Sequence, residues 1–310
     1  MKVGMLGVVN NLSTRMSSHN AGWTLACKSA LKCVFRCDID IMDNRDDYDK
    51  YDIIVINEGV NFKPLSFNFF GGVQQRQIDA LVKLSNYKNT LYSINHEVDY
   101  NYVITKRKEL KDYDLRFKSP IVIDLSEVSD KLILGDSHSL SVYRDGYAIS
   151  RNDGKTLHGF LTNRIESYLK DTTKEIIFYA GNIDIRFHVH RFGGKKAVKE
   201  LCINLYYQVK ELTDRGIKVT LTHVIPAEDE SRKLPSTGLY KGEKFYGTQI
   251  ERLEYIKYFN SLIDKICDKL NINCIKWDFN YEKGLSFDDM EARQSVHIRP
   301  SSYKYITELL

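Results

Sequence analysis

Leu132-Ile133-Leu134-Gly135-Asp136-Ser137-His138-Ser139 is the stretch on which the fold turns. Its apolar start reads as a buried β-strand, and the glycine that ends it opens a sharp polar turn. A serine in that turn projects its hydroxyl above the edge of a sheet, where open α/β sheets bind their ligands. The same arrangement recurs downstream. Ile176–Ala180 is an apolar strand that gives way to Gly181-Asn182-Ile183-Asp184-Ile185-Arg186, and Val296-His297-Ile298-Arg299-Pro300 stands just before a helix expected over Ser301–Leu310.

Between these blocks, strands alternate with helices. Helices are predicted over Leu157–Leu169 and over Lys195–Arg215, where Val198, Leu201, Cys202, Leu205, Val209 and Leu212 recur at three- and four-residue spacing and Gly216 marks the stop. Ile217–Ile225 reads as a strand ending in His223-Val224-Ile225-Pro226. The polar loop Pro226–Tyr246 exceeds the usual connection length and is a candidate lid. Thr248 and Glu251 form a capping box that opens a helix to about Leu270, and Ile272–Trp277 is the last strand.

Upstream, Val3–Val9, Asp38–Met42, Asp52–Asn57 and Thr90–Ile94 read as strands, and Ala21–Phe35 and Gln74–Leu84 as helices. Asp52–Asn57 is apolar almost throughout, as parallel strands covered on both faces are. The charged, tyrosine-rich segment Val103–Pro120 closes this half, and Ile121–Leu125 is expected to open the next. The prediction is α/β throughout: a Rossmann-like domain over residues 1–118 and an α/β domain with a mainly parallel sheet over 119–310.

Composition narrows the function classes. Lys and Arg number 45 against 41 Asp and Glu, a surplus of +4, too small to announce a nucleic-acid binder by charge alone. No apolar run approaches the ~20 residues of a bilayer span, and no secretory leader is evident, so a cytoplasmic protein without membrane contact is expected. Cys27, Cys33, Cys37, Cys202, Cys267 and Cys274 show no Cys-x-x-Cys pair and no histidine at zinc-ligand spacing. They read as buried reduced thiols, and neither metal nor cofactor is expected. The oligomeric state is not encoded in any pattern here.

The serine turn, the Gly/Asn/Asp turn and the late histidine follow the order of the SGNH (GDSL-type) hydrolases, which residues 121–310 resemble. In that family a serine attacks an ester carbonyl, amides with a glycine and an asparagine hold the oxyanion, and a histidine three residues after an aspartate is the base. The resemblance implies Ser137 as nucleophile, His297 as base, Gly154 or Gly159 as the second-block glycine, and Asn182 as an oxyanion donor. Ile183 occupies the family's asparagine position and Gln294 its aspartate position. A carboxylate from elsewhere must then orient His297, with Asp184, Asp136, Asp288 and Asp289 as candidates.

Beyond the third block run Arg186, His188, His190 and Arg191. In an extended segment alternate residues share one face, so these cations, with His138 and Arg299, are candidates to meet an anionic substrate group. In the first half, Asp49–Asn57, Asn68-Phe69-Phe70-Gly71-Gly72 and Leu91–Ile94 resemble the N-terminal half of the DNA β-glucosyltransferases of T-even bacteriophages. Asn95 and His96 stand where that family carries its catalytic aspartate. The likeness implies a phage origin, hence a host cytoplasm, and contact with a modified nucleotide or sugar. The expected function is a serine-dependent ester hydrolase or acyl transferase acting on an anionic carbohydrate- or nucleotide-like substrate. The alternatives are a nucleic-acid-binding accessory module of phage DNA modification and a glycosyltransferase.

Overall fold

The computed structural model describes residues 1–6, 21–42, 46–57, 75–94, 113, 115, 118–228, 247–291 and 295–305. The chain forms two compact units: Met1–Val128 with Arg144–Gly146 and Thr307–Leu310, and Ser129–Tyr143 with Tyr147–Ile306. Among the described residues no helix is long and apolar enough to cross a membrane.

The first unit contains β1 (Val3–Leu6), α1 (Ala21–Phe35), β2 (Ile39–Met42), β3 (Ile53–Ile56), α2 (Gln75–Asn86), β4 (Thr90–Ile94) and β5 (Ile121–Ile123). Its five strands are all parallel in the order β2-β1-β3-β4-β5. This is a doubly wound order in which the chain reverses direction across the sheet. β1 is buried along its whole length and β3 along most of it, which is why their sequences are unbroken apolar runs. Leu6, Met42, Ile54 and Ile56 of the sheet pack with Leu81 and Leu84 of α2 and with Tyr48, Tyr51, Tyr87 and Leu91. β5 corrects one expectation. Ile121–Ile123 pairs with β4 in this first sheet, Tyr92 opposite Ile121, and does not open the second unit. A three-residue edge strand whose Ile121 is 53% exposed carries too little apolar pattern to reveal its sheet.

The second unit contains β6 (Lys131–Gly135), β7 (Ala148–Arg151), α3 (Leu157–Asn163), β8 (Glu175–Tyr179), α4 (Lys195–Asp214), β9 (Lys218–Thr222), α5 (Gln249–Leu270) and β10 (Asn273–Ile275). Its sheet is also fully parallel, in the order β10-β9-β8-β6-β7. The sequence did not single out β7. The expected helix Leu157–Leu169 is broken at Arg164, whose φ of 62° cannot continue a helix, and resumes as a 3-10 turn over Ile165–Tyr168. The capping box is formed on both sides: the Glu251 amide donates to Thr248, and the Thr248 amide donates to Glu251. Near the end, the expected terminal helix is represented by a 3-10 turn at Pro300–Ser302, and residues 306–310 lie outside the described part.

One topological feature positions the site. From β6 the chain goes to β7 on one side and then to β8 on the other, so the winding reverses between β6 and β8. Ligands of open α/β sheets bind outside the C-terminal strand ends at such a reversal. The Ser137 turn follows β6 and the Gly181–Asp184 turn follows β8.

Candidate active site

The turn after β6 is built tightly. Asp136 donates its amide to the Tyr179 carbonyl of β8, the Asn152 amide reaches the Gly135 carbonyl, and a 3-10 turn runs over Ser137–Val142. Gly135 is required by this packing, since a Cβ there would lie 2.1 Å from the Tyr179 carbonyl oxygen. Asp136 caps the turn: its carboxylate accepts from the His138 amide at 2.8 Å and meets His138 Nδ1 at 3.0 Å. Between Leu132 and Tyr143, Ser137 is the one residue that is not buried. The turn therefore presents a single side chain outward, a serine.

Ser137 Oγ lies 2.8 Å from His297 Nε2. On the other side of the ring, His297 Nδ1 lies 3.3 Å from Glu291 Oε1. A hydroxyl, an imidazole and a carboxylate thus stand in line, each within reach of the next. Glu291 is also tied to Ser295, whose hydroxyl donates to Oε1 at 2.6 Å and accepts from the His297 amide at 3.1 Å.

Glu291 was not among the residues expected from the sequence. Met290 and Ile298 form an antiparallel bridge, which makes Glu291 and His297 the adjoining cross-strand pair, and the Glu291 amide donates to the His297 carbonyl at 3.1 Å. The carboxylate arrives from six residues upstream because the chain doubles back, whereas Gln294 falls among the undescribed residues 292–294. The sequence signal that could have found it is a Glu-to-His spacing compatible with a hairpin.

The carboxylates nominated from sequence are engaged elsewhere. Asp184 accepts from the Leu157 amide at 2.5 Å and the His158 amide at 3.1 Å, so it caps the N-terminus of α3. Burial raises its pKa, against the pull of those amides. Asp136 serves His138. Asp288 lies 4.0 Å from Arg299, and Asp289 caps the turn at Ser286.

The cationic segment is corrected as well. Asp184–His188 is a π-helical turn and not an extended strand, so alternate residues do not share a face. Arg186 is wholly buried and ion-paired with Glu228, with Arg252 3.9 Å from the same carboxylate. Its other nitrogen donates to the Val296 carbonyl at 3.1 Å, immediately before His297, and lies 3.3 Å from His138 Nε2. His138 is 5% exposed, its ring 4.7 Å from that of His297. Arg186 and His138 therefore lie under the histidine loop and not at a substrate surface. His190 Nδ1 faces the Tyr255 hydroxyl at 3.2 Å; His188 and Arg191 are half-buried, and Arg299 reaches the Phe287 carbonyl at 3.3 Å.

Of the two second-block glycines, the Gly159 amide donates to Thr156 inside the α3 cap. Gly154 sits at the tip of the turn closed by Lys155 N–H to Asn152 O, with φ 73°. Asn182 is fully buried beside the Tyr179 hydroxyl. Burial pushes the His297 pKa below its usual 6.5; Glu291 opposes this, and the nearby His138 and Arg151 add to it.

No protein-family model matches the chain, and no curated protein matches it. Among solved structures it is similar to a GDSL-like lipase from Bacteroides thetaiotaomicron, at 18% identity over 58% of this chain and 84% of that one, TM-score 0.42. It is similar to a psychrotrophic esterase from Pseudoalteromonas, at 18% identity over 58% and 92%, TM-score 0.37. A third similar structure is an acetyl xylan esterase, at 16% identity over 47% and 76%, TM-score 0.33. Of the segments behind the glucosyltransferase resemblance, residues 68–72 and 95–96 lie outside the described residues, as do 229–246 of the lid candidate Pro226–Tyr246.

Proposed function

We propose that the second unit is a serine-dependent ester hydrolase or acyl transferase of the SGNH type. The observation that carries this is the line Ser137 Oγ, His297, Glu291, at 2.8 and 3.3 Å. A buried, neutral imidazole with one nitrogen on the serine hydroxyl and the other on a carboxylate is arranged to accept the hydroxyl proton as Oγ attacks an acyl carbon. Glu291 holds the ring in the tautomer that leaves Nε2 unprotonated, and stabilises the imidazolium once the proton has moved.

The attack forms an Oγ–C bond and places the carbonyl electron pair on oxygen. The amides of Ser137 and Gly154, with Asn182, are the candidate oxyanion donors. Collapse expels the alcohol, which takes the proton from His297 Nε2 and leaves an acyl-serine. Water, or a second alcohol in the transferase case, then attacks with His297 again as base.

An anionic substrate group fits the charge near the base. Arg151 ends β7 opposite Gly135, is ion-paired with Asp153 at 2.5 Å, and its charge acts on His297. Carbohydrate and nucleotide esters are the anionic classes we favour.

The test is labelling with a fluorophosphonate probe followed by hydrolysis of a chromogenic acetyl ester. Capture at Ser137, with turnover abolished in Ser137→Ala of unchanged fold, is the expected result. Labelling of another residue, or full turnover in Ser137→Ala, removes the proposal.

A further inference from the structure

At the β9–β10 edge of the second sheet a different set of side chains converges. In the β9–β10 pair Leu221 stands opposite Cys274, and the His223 amide donates to the Ile275 carbonyl at 2.9 Å. Side chains alternate along a strand, so His223, two residues beyond Leu221, shares a face with Cys274. Helix α5 packs against both strands. Asp264 and Cys267, three residues apart, lie on one face of that helix. His223 Nε2 is 3.0 Å from an Asp264 carboxylate oxygen, and the ligating atoms of His223, Asp264 and Cys274 all lie within 4.8 Å of one another. Cys267 Sγ donates to the Asn273 carbonyl at 3.6 Å, next to Cys274, whose own Sγ donates to the Ile275 carbonyl at 3.8 Å.

One imidazole nitrogen, one carboxylate and one sulfur thus converge, with the Cys267 sulfur held nearby against the Asn273 carbonyl. We propose that His223, Asp264 and Cys274, with Cys267 as fourth donor, form a metal site for a divalent ion of borderline softness, Zn²⁺ first. The mixed nitrogen, oxygen and sulfur set selects against Mg²⁺ and Ca²⁺, which take oxygen alone. Tetrahedral zinc at ~2.0–2.3 Å from its donors separates them by roughly 3.3–3.8 Å, so side-chain movements of about 1 Å bring His223, Asp264 and Cys274 into coordinating range.

The main chain around it is already fixed. The His223 carbonyl accepts from Trp277 Nε1 at 3.0 Å, and Val224 is held through both its amide and its carbonyl by Asn260. Lys276 meets Asp264 at 2.7 Å and is mostly exposed, so it can withdraw to the second carboxylate oxygen as the ion enters. With four protein donors the site is closed and ties β9, β10 and α5 together; its role is to stabilise this edge and not to take part in the serine chemistry.

The sequence concealed the site because its donors come from two strands and a helix, with no paired spacing. The experiment uses the full chain, stripped with a chelator under reducing conditions and titrated with Co²⁺ alone. Expected are thiolate-to-cobalt charge-transfer absorption and four-coordinate d–d bands that saturate at one ion per chain and bleach on adding Zn²⁺. A rise in the wild-type melting temperature with Zn²⁺ accompanies them. Cys274→Ser should lose the charge-transfer absorption or most of it, His223→Ala should weaken Zn²⁺ binding at least ~10-fold, and Cys33→Ser should leave both unchanged. Should Cys274→Ser not fold, the wild-type titration decides. Absence of the cobalt absorption and of the melting shift overturns the proposal. So does full absorption in Cys274→Ser, or a Cys267–Cys274 disulfide in a chain that takes up no metal after reduction.

Discussion

Glu291 and His297 face each other across a two-residue antiparallel bridge, with Oε1 3.3 Å from Nδ1. The pairing of Met290 with Ile298 fixes this relationship through the backbone, so the carboxylate needs no loop of its own to reach the imidazole. Ser295 closes the turn between them by bonding to both residues.

Glu291→Gln should therefore lower kcat on an acetyl ester by on the order of 10²–10⁴-fold, with KM little changed. The amide side chain keeps the volume but loses the charge that stabilises the imidazolium, and it can present a donor to Nδ1. Circular dichroism and the melting temperature should stay near wild type. A loss below about threefold would show that another group orients His297.

The acid limb of kcat/KM should inflect below 6.5. Burial first, then the charges of His138 and Arg151, hold the His297 pKa down against Glu291, so the neutral base survives to lower pH than in a free histidine. The sign can be tested in both directions. Arg151→Gln removes a repelling cation and should move the limb up, whereas Glu291→Gln removes the stabilising anion and should move it down. Shifts in the same direction for both variants would contradict this electrostatic account.

Much of the second unit was legible because its signals are local. Apolar runs marked β6, β8 and β9, the period of Val198 to Leu212 marked α4, and Thr248 with Glu251 marked the start of α5. Ser137 and His297 were legible because each stands in a short block at a strand or loop end. What sequence could not give was pairing at a distance. Glu291 joins His297 only through a bridge, β5 has too few residues to declare its sheet, and Arg186 looks like a surface cation until Glu228 and Arg252 are seen around it. Asp184 misled for a related reason, since a buried carboxylate near a family motif can serve a helix end as readily as an imidazole.

Asp184→Ala should separate those two roles. It removes the acceptor for the Leu157 and His158 amides, at a cost of about 1–3 kcal/mol in stability. Once folded, the variant should turn over an ester within a few-fold of wild type, because His297 retains Glu291. Denaturant unfolding and kcat at low temperature measure the two effects independently. A fall in kcat matching that of Glu291→Gln would return Asp184 to the catalytic line.

The buried ion cluster under the histidine loop predicts an asymmetry between its members. Among the described residues Glu228 is a carboxylate shared by Arg186 and Arg252, each at most 1% exposed. Glu228→Gln removes the counter-charge that both guanidinium groups share, whereas Arg186→Gln leaves Glu228 still facing Arg252. Breaking such a pair from one side costs about 3–5 kcal/mol, so Glu228→Gln should be the more destabilising of the two in urea unfolding. Arg186→Gln, however, also removes one of the two groups that face the Val296 carbonyl, the other being His138 Nε2, and should loosen the peptide that carries His297. Its kcat should therefore fall further than its stability loss suggests, and the double variant should be less unstable than the sum of the singles. Simple additivity, or an Arg186→Gln enzyme of full activity, would mean that the cluster does not support the catalytic loop.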